Sequence, residues 1–325
     1  MTRILRLASG VLMAASLMFP ATAPAQGFPD KPVRIVVPFP PGAATDTLAR
    51  LLAQKLGELW AQPVVVDNKP GAGGILGAQT VASAPANGLT IFMGHIGTHG
   101  ANPALYAKLP YDPVKDFAPV TLLVSIPNLL VVHPSLPVNS VTELIALAKS
   151  KPGALNIGSA GISTSAHLMI AQFRSITGAE MTHVPFKGAP AAMQGIVGGE
   201  VQVAFDTVTS LMPHVRANRV RALAISTKER SPTAPDVAPL AEVGVPGFDG
   251  ATWFAFFVPA GTPRPVIDKI HTDTVRIFQT REMADRLLGL GMNVIGSTPE
   301  QLAAHVNSEI TRWGRIVKEA NIRVE

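Results

Sequence analysis

The stretch Pro38 to Arg50, reading P-F-P-P-G-A-A-T-D-T-L-A-R, limits what this chain can fold into. An apolar, β-branched run (Val33 to Val37, broken by Arg34) leads in, and an amphipathic helical pattern (Asp46 to Trp60) leads out. Pro32 to Val37 therefore reads as a buried strand that ends in a proline- and glycine-stiffened loop, and the loop opens a helix capped by Thr45 or Asp46. Such a loop presents backbone N–H groups and the positive end of a helix dipole, an anion site that needs no basic side chain. The same pattern recurs from Leu155 to Ser165: strand, glycine-bearing turn, hydroxyl-rich helix start.

Between and around these stretches, strands alternate with helices. Pro63 to Val66, Leu89 to Met93, Ala154 to Gly158, Met181 to Phe186, Val201 to Phe205 and Val220 to Ser226 read as strands. Ile75 to Ser83, Val141 to Lys149, Ser165 to Ile176 and Ala189 to Val197 read as helices, and Gly94 to Gly100 as a polar loop. That spacing argues for a parallel α/β sheet. Two apolar runs, Thr121 to Ser125 and Asn128 to His133, flank Pro127, where the chain is expected to pass into a second domain. Trp253 to Val258 reads as the return crossing, followed by helices from Val266, Glu282 and Pro299, the last opened by Thr298 with proline at its first position. Two crossings make a hinged, two-lobed α/β protein with a discontinuous first lobe: 26–125 plus 254–325 form lobe 1, and 126–253 form lobe 2. Closure is expected to hinge near Ser125 to Pro127 and Ala251 to Trp253.

The first 25 residues stand apart. Arg3 and Arg6 precede an apolar run, Leu7 to Phe19, too short to span a bilayer comfortably, and Ala23-Pro24-Ala25 fits a small-x-small cleavage site. A cleavable export signal at 1–25 is expected, with an uncleaved anchor helix as the rival. Removing Arg3 and Arg6 lowers the formal charge of +5 by 2, to +3 on a mature chain from Gln26. Those charges are scattered, unlike the basic face of a nucleic-acid binder. The chain contains no cysteine, which excludes disulfides, thiolate nucleophiles and cysteine zinc sites.

Two facing loops of this kind could hold a small anion beyond the strand ends, where open α/β sheets bind ligands. Hydrogen bonds to a charged group contribute about 1.5–3 kcal/mol each, and a ~1 μM complex needs about 8.2 kcal/mol net. Four or five such bonds can suffice. In the alternative reading Gly42 only turns the chain, and Asp46, Ser163 and Thr164 are only helix caps.

Several motifs carry a resemblance across the whole mature chain. They are Ile35 to Gly42 with Asp46 and Ala49-Arg50; Val66-Asp67-Asn68-Lys69-Pro70-Gly71-Ala72-Gly73-Gly74; Asn102 to Tyr106; and Gly158 to Gly161 with His167-Leu168. His183 to Gly188, Phe205-Asp206 and Phe257 to Pro263 complete the series. In this order they resemble the substrate-binding proteins of tripartite tricarboxylate transporters, the Bug family. The resemblance implies a type II-like periplasmic binding protein, a monomer and not an enzyme. It implies capture of a small organic carboxylate for a membrane permease or a sensor, without a cofactor. Its ligand-binding residues, carried over, are Phe39, Pro41, Gly42, Ala43, Ala44, Thr45 and Asp46 from the first loop, and Ser159, Ile162, Ser163 and Thr164 from the second. Gly97, Thr98, Phe186 and Asp206 add further lining. Ala43 stands where the family more often has glycine, Ile75 where asparagine is common and Phe186 where tyrosine is common. A differently shaped first loop, and a ligand with an apolar or aromatic body, are therefore expected. Asp206 has two readings, a brace for pocket water or an acceptor for an ammonium or hydroxyl on the ligand.

Some residues also allow rival chemistry. Gly71-x-Gly73-Gly74-x-x-Gly77 departs from G-x-G-x-x-G because residue 76 is leucine, so close helix–strand packing is the better reading. Ser163, His167 and Asp206 could form a hydrolase group acting on carboxylate esters, although no G-x-S-x-G elbow exists. His95 and His99 are four apart but lack acidic partners for a metal.

Overall fold

The computed structural model describes residues 27–319 and residue 322; the leader expected at 1–25 lies outside the described residues. Strand β1 (Val33–Val37) pairs in parallel with β2 (Val64–Asn68) on one side and β3 (Thr90–His95) on the other. Antiparallel to β3 lies β9 (Ala251–Pro259), and antiparallel to β9 lies β4 (Phe117–Val132), flanked by the short β10 (Asn293–Val294). Past Pro127, β4 changes partners: Asn128 to Val132 pair with β7 (Val203–Thr207) and β8 (Arg221–Ile225). On the far side of β7 lie β5 (Asn156–Ser159) and β6 (Thr182–Pro185), in parallel. The sheet thus consists of two halves joined through β4.

The two apolar runs around Pro127 are in fact one 16-residue strand. Proline donates no ladder hydrogen bond, so it ordinarily demotes a central strand. Here Pro127 faces Ala251 at the point where the neighbours change, and the register slips between Pro119 and Thr121. Beside Pro127, Asn128 knits the crossing together. Its N–H donates to Ser226 Oγ (2.8 Å), its amide to Thr252 Oγ1 (3.1 Å), and its amide oxygen accepts from Ser165 Oγ (3.3 Å).

Helix α1 (Ala44–Trp60) follows β1, and Leu48, Leu52, Leu56 and Trp60 recur at helical spacing on its buried face. They pack with Ile35, Ile91 and Phe256, each fully buried apolar side chain contributing about 1.5–3 kcal/mol. The helices α2 (Ile75–Ala82), α3 (Asn102–Leu105) and α4 (Val141–Ser150) come next, then α5 (Ser165–Thr177) after β5 and α6 (Ala189–Val197) after β6. Helix α7 (Val208–Arg216) follows β7; its Pro213 hides it from a sequence reading. Trp60 donates to Asp273 (2.6 Å) on α8 (Arg264–Phe278), which α9 (Arg281–Gly289) follows. Helix α10 (Pro299–Glu319) is opened by a reciprocal cap. Thr298 Oγ1 accepts from Gln301 N–H (3.2 Å), and Gln301 Oε1 accepts from Thr298 N–H (2.9 Å).

Gly94 to Gly100 is not a polar loop. Gly94 and His95 continue β3 against β9, and Gly97 to Ala101 form a buried π-helical turn leading into α3.

Candidate functional site

The first loop is held by its own helix. Neither Thr45 nor Asp46 is the cap residue. That position is Ala43, in extended conformation (φ −72°), with no side-chain cap bond. Asp46 sits one turn in, and its carboxylate accepts from Gly42 N–H (3.0 Å), Arg50 Nε (2.9 Å) and Asn68 Nδ2 (2.9 Å). Burial works against its charge, but the hydrogen bonds from Arg50, Gly42 and Asn68 together keep it below the ordinary carboxylate value. The positive φ of the loop falls on Gly42 (84°), so alanine at 43 is accommodated without backbone strain.

The second loop is braced by two histidines. Ser159 Oγ bonds His183 Nε2 (2.7 Å), and Ser163 N–H donates to His167 Nδ1 (3.3 Å). The two rings stack 4.8 Å apart, and burial pushes both down to about 4, so they are neutral at pH 7. Thr164 caps α5 by accepting from His167 N–H (3.3 Å). Ser163 takes a positive φ of 61°, a strained conformation for serine. Its hydroxyl donates to Tyr106 (3.3 Å), and its amide is what meets His167. A hydrolase needs the nucleophile hydroxyl on its base, and that contact is not made here.

Each loop packs closely against a glycine of the opposite lobe. A Cβ on Gly73 would stand 2.7 Å from Ser163 Oγ, one on Gly188 would stand 3.0 Å from Pro40 Cγ, and one on Gly97 would strike the Ser163 carbonyl. Between the loops lies an inner cavity of about 50 Å³, and beside it an outer groove of about 680 Å³. Phe39, Pro40, Ala160, Thr164 and Gly188 line both. About 10–15 Å³ of such volume holds one water, so the inner cavity has room for roughly three to five water-sized groups, enough for the polar head of a small ligand.

Four helix starts meet there: Ala44 and Thr45 of α1, Ser165 of α5, Ala189 of α6, and Thr207 at the cap of α7. The first N–H groups of a helix have no partner inside it, so these walls favour an anion. No lysine or arginine lines the inner cavity among the described residues.

Of the residues expected from sequence, Phe39, Ala43, Ala44, Thr45, Thr164 and Asp206 line the inner cavity, and Ile162 and Phe186 line the outer groove. Pro41 and Gly42 lie exposed on the first loop, Asp46 braces it, and Ser159 and Ser163 brace the second. Gly97 and Thr98 lie behind His95: Gly97 N–H donates to His95 Nδ1 (2.9 Å), and Thr98 Oγ1 bonds the His95 backbone (3.2 Å). Sequence reasoning missed His95, Ile96, Thr207, Ser210, Thr252 and Phe254 as lining. Thr207 carried a signal, because it repeats the strand-then-cap pattern of the two loops.

Two buried groups in the cavity lack a hydrogen-bond partner among the described residues: His95 Nε2 and Asp206 Oδ2. Burial depresses His95 to about 3, so it is neutral. Burial raises Asp206 to about 6, against hydrogen bonds from Thr207 and Ser210 that pull it down. A carboxyl raised on folding holds its proton longer in the folded state, so its stabilising share is full below the unfolded value and lost as pH rises through about 6. Asp206→Asn should therefore melt higher than the native chain at pH 7.5. The difference should shrink as pH falls through about 6 and vanish only below the ordinary carboxylate value, and a gap that stays constant across a calorimetric pH series would count against this.

The fold and the paired loops define a two-lobed solute-binding protein. The family model for the tripartite tricarboxylate transporter family receptor matches residues 48–322. BugT of Bordetella pertussis is 32% identical over 326 residues, spanning 100% of this chain and 99% of that protein. R. palustris Rpa4515, solved with adipate, is 36% identical with a TM-score of 0.88, covering 91% of this chain and 100% of that one. MatC (Rpa3494) from Rhodopseudomonas palustris, solved with bound malate, is 37% identical with a TM-score of 0.85, covering 89% and 100%. The chain belongs to the tripartite tricarboxylate transporter receptor family, the Bug family.

Proposed function

We propose that this protein captures a small organic carboxylate between its two lobes in the periplasm. It acts as a monomer and hands the ligand to the permease of a tripartite tricarboxylate transporter or to a sensor. The observation that carries the reading is the convergence of helix starts from both lobes on one cavity that, among the described residues, no lysine or arginine lines. A carboxylate is small enough to be shared by such N–H groups, and the relatives solved with adipate and malate support the ligand class. The hinge lies where β4 changes partners, at Pro127–Asn128, and where β9 begins, at Ala251–Thr252. Among the described residues, lobe 1 is then 27–127 with 252–319, and lobe 2 is 128–251.

The test is a thermal-shift and calorimetric screen of refolded mature protein with C3 to C6 mono- and dicarboxylic acids and their amides. An acid at about 100 times its dissociation constant should add about 2.7 kcal/mol to stability, and the matching amide should add nothing measurable. Equal stabilisation by acid and amide would overturn the reading.

A further inference from the structure

We infer that Asp206 is a proton-binding group coupled to ligand capture, so that the inner cavity takes up a carboxylate together with one proton held on Asp206 Oδ2; this rests on the carboxylate reading above. The helix starts around the cavity call for an anion, yet Asp206 brings an acid of its own into the same lining. The cavity is only about 50 Å³, so an anionic group inside it stands close to that wall. Among the described residues no lysine or arginine lines it to offset a second negative charge. Two acid groups confined to one buried site do not both ionise, and one of them keeps a proton.

The geometry decides which atom takes the proton. Asp206 is 5% exposed, and its Oδ1 accepts from Thr207 N–H (2.6 Å) and Thr207 Oγ1 (3.3 Å). A backbone N–H donates at every pH, so Oδ1 stays an acceptor. Oδ2 is buried and has no partner among the described residues. A proton on Oδ2 makes it a donor, and its bond to the ligand carboxylate is of the strong, charge-assisted kind. The surroundings favour that proton. Burial already raises Asp206 to about 6 against the hydrogen bonds from Thr207 and Ser210, and a neighbouring anion raises it further. Thr207 and Ser210 face it from α7, Leu129 is its register partner on β4, and Ser165 of α5 and Ala189 of α6 line the same cavity, all uncharged. From the other lobe the lining adds one titratable group, His95, which burial keeps neutral. Asp46 of α1 is committed to Arg50. Below about pH 6 the proton is already in place; above it, each capture draws one from solvent, and affinity falls as pH rises. A ligand hydroxyl or ammonium aimed at Asp206 would instead leave the carboxylate ionised and binding indifferent to pH.

The experiment is calorimetry on the native mature protein with propanoate, succinate and hexanedioate at pH 6, 7 and 8, each in two buffers of different ionisation enthalpy. An acid that binds should bind about tenfold or more tightly at pH 6 than at pH 8, with uptake of about one proton per molecule bound at pH 7. A merely structural aspartate would not move that uptake. In Asp206→Asn, Thr207 N–H claims the amide oxygen, and the NH₂ group stands where the protonated Oδ2 stood. The variant should bind the same acid without proton uptake, and with affinities at pH 6 and pH 8 within about threefold of each other. Native binding without uptake, equally tight at pH 6 and pH 8, overturns the inference and leaves carboxylate capture standing. Uptake that persists in the variant places the proton on the ligand and also overturns it. No binding by any of the acids overturns both.

Discussion

Gly97→Ala should weaken ligand binding by about 100-fold or more, equivalent to about 2.7 kcal/mol, while leaving the fold intact. Gly97 opens the π-helical turn after β3, in the first lobe, and the Ser163 carbonyl of the second lobe comes directly over its α-carbon. A methyl group there also crowds the His95 ring, but a side chain can shift. The Ser163 carbonyl is backbone, in a loop tied to His167 of its own lobe, and it cannot retreat without moving the lobe. The substitution therefore acts on the closed arrangement and spares one in which the lobes have separated. A ligand shifts a conformational equilibrium only by its differential affinity for the two states, so a closed state raised in energy appears directly as lost affinity. Small-angle scattering should show the native protein contracting with its best carboxylate and the variant not contracting. Calorimetry giving affinities within about threefold of native would show that closure does not bring these loops together.

Glu309→Ala should lower the melting temperature by on the order of 10 °C, with little change in affinity. Glu309 is buried on α10 and accepts from two indole N–H groups at the same oxygen, Trp253 at 2.8 Å and Trp313 at 3.0 Å. Its other oxygen accepts from Arg312 (3.4 Å), whose guanidinium lies 5.0 Å from the Trp313 ring centre. Trp253 belongs to β9, so this carboxylate fastens the last helix to the return crossing. Removing it leaves two buried donors unmatched, and the loss should be about 3–5 kcal/mol. Glu309→Gln keeps an acceptor oxygen and should lose less. A shift below about 2 °C for the alanine variant in scanning calorimetry would mean that water or a rearranged neighbour replaces the carboxylate.

Much of the site was legible because its first half is local. The Pro38–Gly42 loop, the helix from Ala44 and the cap at Thr164 are set by residues within a few positions of one another. The two lobes were legible too, since two apolar runs beside Pro127 and one near Trp253 are enough to require two crossings. Assignments failed where a distant partner sets the structure. His95 looked like loop because Gly94 and the glycines after it are poor strand formers. It is strand because β9 lies alongside, pairing Gly94 with Ala255 and His95 with Phe254. Pro127 looked like a break, yet it lies in one continuous strand for the same reason. Asp46 looked like ligand lining, and its carboxylate is committed to Gly42, Arg50 and Asn68, the last from a different strand.

Most of the order of strands and helices, the two glycine-bearing turns and the family were written in the chain itself, because hydrophobic period, caps and turn residues act over short range. The tertiary fold alone brought His95 and Asp206 into the lining of one cavity, set Gly97 beneath Ser163 and kept β4 unbroken. Each joins segments tens to more than a hundred residues apart. No local pattern encodes such a meeting, since it depends on which faces the packed sheet and helices turn towards each other.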